Sequence, residues 1–346
     1  MHFERYFEKK KINQVILNRK INWFFDIKSI LYKNYKQSQI QKFAKQIVVN
    51  SFNLSNDFEN IKKKKIYLKK INYQKIKKKS GGSEITEIIN LIKKENLLDY
   101  FDHFIVQGSI ASYDFIKNWS DFDTLVVIKD DVLKDKKKLV RLRIKLKKIY
   151  KKIVKFSKFQ HHGLIIYTNL DLKNYLSGYL PPEALKFNFT LINKKFIEFK
   201  IPKEKILNIS KKILKEKKTF YEAVLKNKVY NHHVLGKKTP KIPFKINDPY
   251  MFELFYNFGS ILNIPILFLD AIGKSSHKKN SFNKFYSLIK DKFVIDFIKQ
   301  HENIRKNWKI YKFKKFNIPK KLLDNLGENY FNNCLIVFKI ICKKLS

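Results

Sequence analysis

Two carboxylates, Asp121 and Asp123, flank a phenylalanine and run directly into Thr124-Leu125-Val126-Val127-Ile128. If residues 122–129 form a strand, side chains alternate, so both acids share one face and Phe122 points into the core. Two acids so placed can hold one or two divalent ions against a polyphosphate. Upstream, another apolar run, His103-Phe104-Ile105-Val106-Gln107, ends at Gly108-Ser109. A glycine at a strand end lets the backbone approach a phosphate, and a serine opening the next helix adds a hydroxyl to N–H groups that favour an anion.

These residues need elements to position them. Gly81-Gly82 breaks the preceding pattern, Ser83 can cap a helix, and Ile85, Ile88, Ile89 and Ile92 keep helical spacing. Residues 132–156 read as a long basic helix and 162–168 as a third strand. Helix and strand alternate three times, which predicts an α/β layer of about 120 residues. Before it, residues 1–80 read as a basic helical region. Ile12, Val15, Ile16 and Ile21-Asn22-Trp23-Phe24-Phe25 could form its buried faces, and the lysine-rich run 61–80 reads as a solvated helix or linker, with a nucleic-acid or membrane-surface arm as the alternative. After it, residues 201–346 read as helical. Ile206, Ile209, Ile213, Phe220 and Val224 keep one stripe, Asp248-Pro249 opens a helix, and a last helix from about Pro319 carries Leu323, Leu326, Tyr330, Cys334, Val337 and Ile341.

The joint pattern of apolar strand, Gly108-Ser109, residues 110–120, Ser120 and Asp121-Phe122-Asp123 with its hydrophobic strand resembles the nucleotidyltransferase superfamily that shares the polymerase β fold. The resemblance covers roughly residues 83–200. It implies an α+β fold class: a small mixed-sheet nucleotidyltransferase core with helices, here at 81–200, between a basic N-terminal extension and a C-terminal helical domain. It also implies a reaction in which an acceptor hydroxyl attacks the α-phosphate of an NTP and pyrophosphate leaves. Asp121 and Asp123 would be catalytic and hold Mg²⁺ or Mn²⁺, and Gly108 and Ser109 would bind the nucleotide's phosphates. The acceptor, whether small molecule, protein or RNA end, is not implied, and the active cleft is expected between the core and the C-terminal helices.

The chain departs from that family where a third carboxylate usually stands. The matching segment is Gln160-His161-His162-Gly163-Leu164-Ile165-Ile166, without an acid, and Asp171 follows in an expected turn. His161 and His162 are the candidates for the third-ligand position, one of them facing the site through a neutral imidazole. Mg²⁺ prefers oxygen, so a histidine there weakens a two-magnesium scheme. The family's Arg and Gly after Gly-Ser are also replaced, by Ile110-Ala111-Ser112-Tyr113-Asp114. A catalytically degenerate member that binds nucleotide or a partner is therefore the alternative.

Net charge is +44, and a third reading is a basic nucleic-acid-binding protein. Against it, only Arg5, Arg19, Arg141, Arg143 and Arg305 are arginines among 74 basic residues. Specific grip on phosphates and base edges usually uses arginine forks. Scarce glycine and abundant Lys, Ile, Asn and Phe match an AT-rich coding sequence, so non-specific nucleic-acid binding at low salt is what the charge predicts. Cys334 and Cys342 lie about 12 Å apart along a helix and cannot pair with each other there, which fits a reducing cytoplasm. His232-His233 and His277 show no metal-ligand spacing, and Lys278-Lys279 read as solvated surface, with contact to a nucleotide's phosphates or an acidic acceptor as the alternative. MHFERYFEKK lacks the apolar stretch of a signal peptide, and 261–272 is too short and too interrupted to cross a bilayer.

Overall fold

The computed structural model describes residues 12–52, 62–157, 160, 162–176, 179–180, 182–201, 206–226, 258–276, 278–308, 311, 320–327 and 329–346. The expected features at His161, His232-His233, Asp248-Pro249 and His277 lie outside the described residues. The chain divides into two compact units, Met1–Glu204 and Lys205–Ser346. The architecture is α+β, with the strands in the first unit and helices in the second.

The first unit is built on a four-stranded mixed sheet of β2 (Phe101–Gln107), β3 (Thr124–Ile128), β4 (Ile165–Tyr167) and β5 (Asn188–Thr190), in the order β4-β3-β2-β5. β3 pairs antiparallel with β2 and parallel with β4, and β2 pairs antiparallel with β5. Alternation along the central strands feeds two cores. Phe104, Val106, Val126 and Ile128 face one, and Ile105, Leu125 and Val127 face the other. Helices α4 (Gly82–Lys94) and α7 (Lys136–Phe156) line the first core with Ile85, Ile88, Ile89, Ile92, Leu139, Leu142, Leu146, Ile149 and Ile153, spaced for a helical face. Each such side chain, fully buried, contributes about 1.5–3 kcal/mol. The helix expected over 132–156 is divided. A single turn, α6 (Asp130–Leu133), ends before Asp135, whose side chain caps α7 by accepting from the Lys137 and Lys138 amides.

The second core is closed by a two-stranded antiparallel ribbon of β1 (Lys62–Tyr67) and β6 (Phe196–Ile201), which adds Ile197 and Phe199. Here the lysine run 61–80 departs from the expected helix or linker. Its first part is β1, with Lys64 and Ile66 turned inward opposite Phe199 and Ile197. A short helix, α3 (Tyr73–Lys77), follows.

The expected break at residues 80–81 falls within the first unit, whose core is shared across it. Helices α1 (Ile12–Phe24) and α2 (Gln37–Phe52), with Phe25 just past α1, contribute Leu17, Ile21, Phe24, Phe25, Ala44 and Ile47 to the same cluster as Ile85 and Ile149. Polar contacts fix this attachment. Buried Arg143 on α7 donates to the Phe24 carbonyl and to Ser29, and the Tyr150 hydroxyl donates to the Phe25 carbonyl. On α1, Asn22 pairs with edge strand β4 as a neighbouring strand would, donating to the Ile166 carbonyl at 2.7 Å and accepting from its amide at 2.8 Å. The edge is thereby covered rather than left as a template for aggregation.

In the second unit, the buried stripe of the helix Ile206–Leu225 is shifted from the expected one. Ser210, Leu214, Lys217, Tyr221 and Val224 are buried, while Ile213 and Phe220 are half-buried. The expected final helix is two, Lys320–Leu326 and Tyr330–Lys344, interrupted at Gly327, which adopts φ +73°. Cys334 and Cys342 are unpaired with each other, as their spacing required. Among the described residues, no helix is long and apolar enough to cross a membrane.

Candidate metal centre

Strand β2 delivers the chain to Gly108 with Gln107 still bonded across the sheet, its amide donating to the Asp123 carbonyl at 3.0 Å. That bond sets Gly108 against Asp123. Gly108 has φ +67°, and a Cβ on it would lie 2.5 Å from Asp123 Oδ2. Glycine is required twice, by the left-handed backbone and by the carboxylate beside it. The helix expected to begin at Ser109 is a single turn, α5 (Gly108–Ala111). A turn this short sums few peptide dipoles, so what it offers an anion is its leading N–H groups.

The loop from α5 to β3 is held by its own bonds and by aromatic anchors. Asp114 donates its amide to the Ser109 carbonyl at 3.0 Å, and Ser112 Oγ hydrogen-bonds Asp114. Ser120 closes the next turn, its hydroxyl accepting from the Ile116 amide and its amide donating to the Ile116 carbonyl. Phe115, Trp119 and Phe122 are buried. Asp121 and Asp123 therefore both stand just ahead of β3, which begins at Thr124 and not at Phe122 as expected. They converge all the same, because Phe122 between them is sunk in the core at 1% exposure, as expected.

The third group is His162, one of the two histidines expected to supply it, although it precedes β4 rather than lying on a strand. One carboxylate oxygen from each of Asp121 and Asp123 and one ring nitrogen of His162 all lie within 4.8 Å of one another. His162 Nδ1 is 2.7 Å from the Gly163 carbonyl, which can only accept, so Nδ1 carries the proton. Nε2 is then turned toward the carboxylates, 3.3 Å from Asp123 Oδ1. A backbone carbonyl fixing one nitrogen while the other faces a ligand set is the usual support of a metal-binding imidazole. Asp121 is buried, whereas the Asp123 and His162 side chains are 32% and 25% exposed, so the group is reachable from solvent. Burial opposes charging of His162, but the hydrogen bond to Asp123 and the charges of Asp121 and Asp123 outweigh it and hold the ring's pKa up to about 9.

The donor set fits one divalent ion. Ligands on opposite sides of an ion at about 2.1 Å are about 4 Å apart, within the spacing found here. Two oxygens and one nitrogen suit Mn²⁺ better than Mg²⁺, which takes oxygen almost alone.

Asp171 is not part of this group. It is buried at the start of α8 (Asn169–Lys173), in a capping box with Thr168, and accepts from Gln14, Asn18 and the Tyr179 hydroxyl. Other residues support the site without a sequence signature. Buried Gln160 accepts the Phe122 amide at 2.6 Å and donates to the His162 carbonyl at 2.8 Å, joining the aspartate segment to the histidine segment. Tyr150 accepts the Leu164 amide at 3.0 Å while donating to Phe25, and a Cβ on Gly163 would meet both that hydroxyl and the Phe25 carbonyl. Only their place beside His161-His162 could have singled out Gln160 and Gly163, and Tyr150 on α7 has no such mark; a bridge from side chain to backbone leaves no spacing to read.

No family model, no curated protein and no solved structure matches the chain. The functional reading rests on the geometry and on the sequence signature it gathers.

Proposed function

We propose that the chain is a divalent-metal-dependent nucleotidyltransferase, moving a nucleoside monophosphate from an NTP to an acceptor hydroxyl. The carrying observation is the convergence of Asp121, Asp123 and His162 within 4.8 Å beside the Gly108 turn. In the reaction, an acceptor hydroxyl releases its proton to water as its oxygen forms a bond to the α-phosphorus, the bond from that phosphorus to the bridging oxygen breaks, and pyrophosphate departs. Asp121, Asp123 and His162 would hold the ion, whose contribution is to neutralise phosphate charge and orient the reacting oxygens. The Gly108-Ser109 backbone would position the β- and γ-phosphates, with the glycine keeping the turn pressed against Asp123. The protein's part is thus positioning and electrostatics. The nitrogen ligand makes Mn²⁺ the better activating ion.

The 3.3 Å contact between His162 and Asp123 supports a second reading. A protonated His162 can itself balance part of the carboxylate charge, giving a degenerate site that binds without turnover.

Labelling separates the two. The full chain is incubated with cell extract, Mn²⁺ or Mg²⁺, and NTPs labelled at the α-phosphate or, in parallel, at the γ-phosphate. Transfer of α-label alone, stronger with Mn²⁺ and absent from the Asp121→Asn/Asp123→Asn double variant, is expected. Labelling no greater than that of the double variant refutes turnover.

A further inference from the structure

We infer that the β1–β6 ribbon is a binding surface for single-stranded nucleic acid. The binding does not depend on the transfer chemistry; only the idea that the strand is an acceptor rests on the nucleotidyltransferase reading.

The ribbon's inner face is committed to the second core through Ile66, Ile197 and Phe199. Its register leaves the other face as three cross-strand pairs: Lys63 with Lys200, Lys65 with Glu198, and Tyr67 with Phe196. Tyr67 is 71% exposed and Phe196 39% exposed. Two large rings opposite each other on a solvent face contribute little to folding there. Lys65 Nζ lies over one face of the Phe196 ring, 3.7 Å from its centroid, so a base stacks on that ring by its other face or by displacing the flexible lysine tip. Beyond the aromatic pair come exposed Lys194 and Lys195. Rings flanked on both sides by cations match a polynucleotide strand, whose bases stack and whose phosphates follow at each step. Lysine alone would say little in so lysine-rich a chain; the paired exposed rings mark this face.

The aromatic end of the ribbon is also the end tied to the candidate site. The Tyr67 carbonyl accepts from Asn188 Nδ2 at 3.2 Å, and Asn188 is paired with Gln107, the residue before Gly108. A duplex hides its base faces, so the surface favours a single strand.

The test is fluorescence anisotropy of a labelled oligouridine of about 12 nucleotides with the full chain, over a salt series. Tyr67→Ala/Phe196→Ala is expected to weaken binding at least about 30-fold at unchanged charge, since two stacking rings are lost. Tyr67→Phe should bind as wild type, which separates loss of the ring from loss of folding. Lys63→Gln/Lys65→Gln/Lys200→Gln should flatten the log–log salt slope by about 2. Removing the same charge from the exposed face of α7, by Lys147→Gln/Lys151→Gln/Lys155→Gln, should not. Asp121→Asn/Asp123→Asn should bind undiminished, so failure of transfer does not touch this inference. Unchanged affinity in the folded aromatic double variant, or equal slopes for the two lysine triples, overturns it. So does a face whose rings are needed for sedimentation with phosphatidylserine vesicles but not for the oligonucleotide.

Discussion

Two acidic clusters flank β4, and they are built in opposite ways. After the strand, Asp171 is 1% exposed and accepts five hydrogen bonds, from Gln14, Asn18, Tyr179 and twice from Thr168. Before it, His162 meets two carboxylates side by side, partly open to solvent. The first carboxylate is held by neutral donors from α1, from Thr168 at the cap of α8 and from Tyr179, and serves to lock α1 and α8 to the sheet. The second arrangement puts two like charges together beside a histidine whose own charge balances only part of them, which favours an added cation. A buried acid is therefore not a site because it is buried; what matters is whether it stands alone among neutral donors or beside a second carboxylate.

The largest effect separating the clusters should be on function. Asp121→Asn/Asp123→Asn is expected to cut α-label transfer at least about 10³-fold while thermal unfolding changes little, because removing preorganised charge acts on the transition state. Asp171→Ala should do the reverse. It strands several buried donors, which costs about 3–5 kcal/mol, seen as faster hydrogen exchange in α1 and β4, with ion binding retained. If Asp171→Ala abolishes ion binding and leaves exchange unchanged, the two clusters have been assigned the wrong way round.

A second histidine sharpens the contrast. In the second unit, His301 is fully buried, its Nδ1 donating to the Phe297 carbonyl and its Nε2 accepting from the Tyr330 hydroxyl. Burial drives its pKa down to about 4, with the Phe297 carbonyl opposing. Because the folded value lies below the ordinary one of 6.5, its contribution is present above pH 6.5 and is lost as pH falls toward 4. The loss should approach about 3 kcal/mol, read as a falling urea midpoint of the second unit that His301→Gln flattens. The smallest predicted effect is at Gln160. Gln160→Leu leaves all three ligands in place but unties the loops, so Mn²⁺ affinity should drop about 10- to 100-fold.

Much of this could be read from the chain, and the misreadings have causes. Strands β2 and β3 were legible because Phe104–Val106 and Leu125–Ile128 are apolar and bounded by Gly108 and Asp123. β1 was not, because four consecutive lysines hide its period, and the partner that turns them into a strand is β6, more than a hundred residues away. The stripe on Ile206–Leu225 holds at Val224 but not at Ile213 and Phe220, because Lys217 occupies a buried position that pattern reading assigns to solvent. At the site, Gly108, Asp121, Asp123 and His162 were readable as residue types with chemistry. The strand geometry expected for the aspartates was not what joins them: Phe122 sinks into the core and Gln160 bridges to its backbone.

The most direct measurement is electron paramagnetic resonance of Mn²⁺ added to the full chain, with electron–nuclear detection of nitrogen coupling. One bound ion with an imidazole ¹⁴N coupling is predicted, with the coupling lost in His162→Ala and the ion itself lost in Asp121→Asn/Asp123→Asn. Mn²⁺ that stays in solution, or binds equally well without the two aspartates, would contradict the account.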